Sequence, residues 1–260
     1  MHIASLIVDI ILAGYIAWQV ADFVPRYRKF KQAVAEGDAQ ARTRLYYRVL
    51  SFEWISAFLA LAALGFAWSP LNPKWLALAD NSLIRPYTGA IGWDKLAGVI
   101  AGLAIGTVGF VVARIVARKK GSVQSTATAR TTRWRKLMPD FSALIPVTMR
   151  ERVLWAVVAS SAGICEEVVF RGCLLATLHG TVGLNGTALL IAGAALFGLA
   201  HAYQGVTGMI LTALAGLFFC VLYVASGSLL LPILLHAAVD LRFALMPAAR
   251  AAEKPQTAYA

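Results

Sequence analysis

The chain has 260 residues, 59% of them hydrophobic and only 14% charged, with a mean hydropathy of +0.69. That composition excludes a soluble globular enzyme. The +11 formal charge lies in patches that flank apolar stretches, which excludes a nucleic-acid-binding domain and points to a membrane protein.

Apolar runs long enough to cross ~30 Å of hydrocarbon recur along the chain. Seven spans are expected, at 3–24, 47–69, 95–117, 152–178, 187–203, 206–226 and 229–247. The expected fold is therefore all-α, a multi-pass transmembrane helical bundle of about seven spans. The first segment has no basic stretch ahead of it, carries Asp9 and lacks a small-residue cleavage site before Pro25, so it reads as a retained helix rather than a signal peptide. Its Asp9 and Asp22, and Glu53 early in the second span, read as helix-end or interfacial groups.

The charge pattern orients the chain. Residues 25–46 carry Arg26, Arg28, Lys29, Lys31, Arg42 and Arg44 against Glu36 and Asp38, and 118–150 is basic in the same way. The segment 70–94 is nearly balanced, and 179–186 contains no Asp, Glu, Lys or Arg. The positive-inside rule places both basic loops and the C-terminal tail in the cytoplasm. With the N-terminus outside, the number of spans is odd, and the strong asymmetry suits a bacterial plasma (inner) membrane.

Four parts follow: a three-span N-terminal part (1–120), a basic cytoplasmic linker (121–149), a four-span core (150–247) and a cytoplasmic tail (248–260). The linker is rich in Ser, Thr, Ala and Arg and is broken by Pro139 and Pro146. Cys165, Cys173 and Cys220 fall within spans at spacings that suit neither a disulfide nor a metal site, and read as small buried hydrophobes. No internal repeat of the transporter kind is visible.

The core carries the chemistry. Glu166, Glu167 and Arg171 lie in the fourth span, His201 at the end of the fifth, and His236 and Asp240 in the seventh. An ionised side chain at the bilayer centre costs at least ~2.5–3.5 kcal/mol, so it persists when paired, wetted or functional. Glu167 and Arg171, four apart on a helix, share a face and can pair, whereas Glu166 points about 100° away and has Phe170 as its fourth neighbour. Glu166 is thus the free carboxylate, available as a general base. His236 and Asp240 are also four apart, just after Pro232, which is expected to kink that helix. Small residues at Gly193, Ala194, Ala195, Gly198 and Ala200 allow the fifth span to approach its neighbours closely.

A carboxylate base beside two imidazoles suits water attack on an amide. The same Glu166, His201, His236 and Asp240 could instead hold a Zn²⁺ that acidifies the water. The soluble His-Glu-x-x-His signature is absent, and the balance favours a site with no required metal.

Glu-Glu-x-x-x-Arg at 166–171, Phe-x-x-x-His at 197–201 and His-x-x-x-Asp at 236–240, in that order on successive spans, resemble the type II CAAX prenyl endopeptidase family, the CPBP or Abi group of intramembrane proteases. The resemblance covers about residues 150–247. It implies that Glu166 and His201 activate the hydrolytic water, that His236 and Asp240 stabilise the oxyanion or order the site, and that Glu167 and Arg171 support it. Asp240 stands where prenyl-processing members often carry Asn, and a carboxylate donates a hydrogen bond only when protonated. The expected partners are a membrane-anchored peptide or protein substrate and the lipid bilayer, with no nucleic acid. Two other classes compete: a non-catalytic membrane binding or bacteriocin-immunity protein of the same fold, and a proton-coupled transporter.

Overall fold

The structure, a computed structural model, describes residues 3–68 and 141–245, and every regular element among them is helical. The expected span at 95–117 lies outside the described residues. Helices α1 (Ile3–Ala35) and α2 (Ala41–Trp68) form a hairpin. After a 3₁₀ turn at Ser142–Leu144, α3 (Met149–Glu167) runs through a π-helical stretch (Val168–Leu174) into α4 (Leu175–Gly180). Helix α5 (Gly186–Ala200), a 3₁₀ turn at Ala202–Gln204, α6 (Gly205–Ser226) and α7 (Leu230–Leu245) complete the bundle.

Three segments are long and apolar enough to cross a membrane, Ala41–Leu64, Met149–Gly180 and Ala202–Ser226, and Gly186–Ala200 is a shorter apolar helix. Helices α1 and α7 cover the first and seventh expected spans without joining that set. The first helix runs beyond the expected span, through Pro25 to Ala35. At ~1.5 Å per residue α1 is about 50 Å long, so its basic C-terminal turns extend beyond a ~30 Å hydrocarbon layer. The kink expected at Pro232 is corrected: the proline does not bend α7. It sits in the first turn, where its missing N–H would have had no intrahelical acceptor, and Ile233 N–H already bonds the Leu229 carbonyl at 2.9 Å.

Local chemistry explains the element boundaries. Between α1 and α2 the chain turns at Gly37, whose φ of 88° lies in the left-handed region. Asp38 accepts the Gln40 backbone N–H at 2.9 Å and pairs with Arg44, and these two contacts hold its carboxyl below the usual range. Helix α3 opens on a capping box: Thr148 Oγ1 accepts from Glu151 N, while Glu151 Oε2 accepts from Thr148 N at 3.0 Å and Val147 N at 2.7 Å. Asp22 is held by Arg26 and Arg48 within α1 rather than at a helix end, because the helix continues to Ala35. The side chain of Asp9 lies outside the described residues.

The core joins all of these helices. Helix α3 packs along α7 and α2, and α5 along α6. Glycine allows the close approaches: a Cβ on Gly163 would lie 2.8 Å from Ala237 Cβ on α7, and one on Gly198 would lie 2.7 Å from the Met209 carbonyl on α6. The apolar centre includes Leu12, Ala60, Val169, Leu189, Phe197 and Tyr223. Helix α1 closes over the α5–α6 connection, with the rings of Phe23 and Tyr27 each 4.9 Å from that of Tyr203. Cys165, Cys173 and Cys220 are buried and form no disulfide among the described residues, as their spacing implied.

Candidate active site

The π-helical stretch begins directly after the paired glutamates. Its wider turn is a feature often found at functional sites, and no residue pattern in the sequence announces it. Arg171 within it is 1% exposed, and Glu167 before it is fully buried. Arg171 Nη1 donates to Glu167 Oε1 at 2.9 Å and Nη2 to the Gly216 carbonyl of α6 at 3.1 Å. The guanidinium also lies 4.3 Å from the Phe197 ring centre and 5.4 Å from that of Phe219. The pair read from the four-residue spacing is therefore present, and tertiary contacts on α5 and α6 enclose it.

Glu167 also reaches α7. Its Oε1 lies 2.8 Å from His236 Nδ1. A carboxylate oxygen accepts, so Nδ1 carries the proton and Nε2 faces the other way. His201 is arranged alike. It caps α5, and its Nδ1 lies 2.9 Å from the Phe197 carbonyl, which can only accept. Both imidazoles thus have Nδ1–H anchored and turn Nε2 toward one point.

Glu166 occupies that point. Its Oε2 lies 3.8 Å from His201 Nε2 and 3.9 Å from His236 Nε2, and among the described residues it has no hydrogen-bond partner. Asp240 Oδ2 is 3.6 Å from His236 Nε2. The division expected between the two glutamates holds in space, with Glu167 bound on two sides and Glu166 Oε2 without a partner. All six residues read from the motifs converge, from α3, the π stretch, the end of α5 and α7.

Two cavities meet here. One, about 330 Å³, is lined by Glu166, His201, His236 and Asp240 together with aromatic side chains. The other, about 90 Å³, is mostly apolar and lies between α1, α2 and the Glu166 region. Phe23, Val49, Glu53, Glu166, His201 and Tyr203 line both. Glu53 is where the sequence reading fails. It is not interfacial but 3% exposed in the middle of the bundle, beside Glu166. A lone carboxylate early in a span carries no local sign of what its helix will face.

The same donors bear on a metal. Ligands ~2.0–2.1 Å from a tetrahedral zinc lie roughly 3.3 Å apart, and the measured separations are 3.6–3.9 Å. Among the described residues no group of three or more His, Cys, Asp or Glu side chains is set to hold a metal ion. These separations are a few tenths of an ångström wider than those between ligands on one zinc.

Residues 148–242 match the family described as Type II CAAX prenyl endopeptidase Rce1-like, a segment that contains every motif residue of the site. The match agrees with the resemblance read from the sequence. No curated protein and no solved structure matches the chain.

Proposed function

We propose that the chain is an intramembrane endopeptidase that hydrolyses a peptide bond of a membrane-associated protein or peptide, with Glu166 as general base. The Rce1-like match supports a protease of the CAAX-processing kind in a membrane. One observation carries the finer reading: Glu166 Oε2, buried and without a hydrogen-bond partner among the described residues, faces Nε2 of both histidines at 3.8 and 3.9 Å. A water about 2.8 Å from all three atoms would bridge them.

The steps follow from these atoms. Glu166 takes a proton from the water as its oxygen bonds to the substrate carbonyl carbon. The carbonyl becomes an oxyanion, and His236, in its imidazolium form with Nδ1–H anchored on Glu167, donates Nε2–H to it. Collapse breaks the C–N bond, and the proton held by Glu166 passes to the leaving amine. His201, anchored on the Phe197 carbonyl, orients the water through Nε2. Asp240 orders His236, and Arg171 neutralises Glu167 so that Glu167 can hold the imidazole.

This reading requires no metal. Purified enzyme cleaving a library of membrane-anchored peptides in detergent should keep its activity after exhaustive chelation. Stoichiometric zinc lost together with activity, and both restored by Zn²⁺, would overturn the metal-free mechanism.

The proposed placement is a plasma membrane, with the N-terminus outside and the basic segments 25–46 and 118–150 in the cytoplasm. In a variant lacking Cys165, Cys173 and Cys220, Arg130→Cys should react with a membrane-impermeant thiol reagent only after the inner face is exposed. Labelling from outside in intact cells would reverse the orientation.

A further inference from the structure

Glu53 is unused by the mechanism above. It projects from α2, outside the matched family segment, and is 3% exposed. Its Oε2 has no hydrogen-bond partner among the described residues, yet the side chain lines both cavities next to Glu166. Among the described residues the charged groups that act on it are the carboxylates of Glu166 and Asp240.

Three carboxylates thus surround the larger cavity: Glu53, Glu166 and Asp240. Among the described residues Arg242 is the one arginine or lysine lining it; its guanidinium lies 5.1 Å over the Phe243 ring and acts on Asp240, so that Glu53 is the carboxylate left without a cation. Arg48, in the wall of the smaller cavity, is held by Asp22. The rest of the larger cavity is rich in aromatic faces, among them Tyr27, Tyr46, Trp155 and Phe243. Carboxylates interleaved with ring faces bind organic cations, because the ring quadrupole and the ionised oxygen both attract positive charge where water is excluded. At about 330 Å³ the cavity is far larger than the roughly 10–15 Å³ one water needs, so it has room for a long side chain.

We infer that Glu53, with Asp240, forms a subsite for a lysine or arginine side chain of the substrate, close to the scissile bond. The inference rests on the endopeptidase reading for the identity of the cation's carrier. The buried Glu53 Oε2 is the feature that an apolar substrate residue would leave unexplained, since a buried unpaired carboxylate is strongly unfavourable. A basic side chain supplies both the counter-charge and the donors. Such a subsite also places the selectivity element on the N-terminal helices and the reacting groups on the C-terminal ones.

The test measures binding and cleavage in parallel, using two fluorescent leucine–alanine hexapeptides that differ at one central position, lysine or norleucine. Wild type should bind the lysine peptide about tenfold more tightly, the scale of one partly desolvated charge contact with ring support. Glu53→Asp, which keeps the charge, should retain a preference, and Glu53→Gln should reduce it to within about threefold. Equal affinity of wild type for the two peptides overturns the subsite, as does an undiminished preference in Glu53→Gln. Should Glu53→Gln fail to fold, the wild-type ratio and Glu53→Asp decide the matter. Peptides bound with the lysine preference but never cut, here or in the wider library, would reject the endopeptidase reading and leave the subsite standing. Peptides cut without preference would reject the subsite alone.

Discussion

Glu166→Gln is expected to lower the turnover of peptide cleavage by about 10²–10⁴-fold, the usual contribution of a positioned general base. It should do so without loss of stability. Glu166 Oε2 makes no hydrogen bond among the described residues, so no donor is orphaned when it becomes an amide. Exchanging a carboxylate for an amide in a low-dielectric interior also removes an unfavourable buried charge. The paired readout is turnover in detergent and the melting temperature of the same preparation. Turnover near that of wild type, with the fold intact, would remove Glu166 from the role of base. Glu167→Gln, one residue away, should behave differently, because Glu167 Oε1 holds both Arg171 and His236.

Arg171→Ala is expected to destabilise the protein by about 3–5 kcal/mol, the scale of breaking a buried ion pair from one side. The guanidinium does three things at once: it neutralises Glu167, donates to the Gly216 carbonyl, and lies over the Phe197 and Phe219 rings. Its removal strands a fully buried carboxylate and leaves a void between α5 and α6. Thermal melting in detergent measures the loss, and Arg171→Met with Glu167→Leu should recover part of it by removing both charges together. A melting temperature unchanged in Arg171→Ala would mean that the pair contributes nothing to the fold. Because Glu167 also anchors His236, cleavage by any folded fraction of Arg171→Ala should fall as well.

Much of this architecture was legible in the sequence, for physical reasons that operate locally. Apolar length alone marks Ala41–Leu64, Met149–Gly180 and Ala202–Ser226 as membrane helices, because hydrocarbon admits no long polar stretch. The Glu167–Arg171 contact follows from helical periodicity, which puts residues four apart on one face. Glu166, adjacent but turned away, was separable from Glu167 by the same geometry. That His201, His236 and Asp240 belong with it came from three ordered motifs and a family resemblance, since no local rule connects residues thirty-five positions apart.

The tertiary structure decided the rest. Periodicity could not foretell the π-helical turn at Val168–Leu174, which arises where α3 packs against its neighbours. Nor could it choose the histidine tautomers, which depend on whether Nδ1 meets the Phe197 carbonyl or the Glu167 carboxylate. Pro232 shows the limit of reading a residue by type alone: it sits in the first turn, where a missing N–H costs nothing. Glu53 shows it most sharply. In the sequence it is one charge near the start of a span, and only the packing of α2 against α3 turns it inward to face Glu166. Hydropathy determines which segments enter the membrane. Which side chains face one another there is set by how the helices pack, through contacts that join residues more than a hundred positions apart.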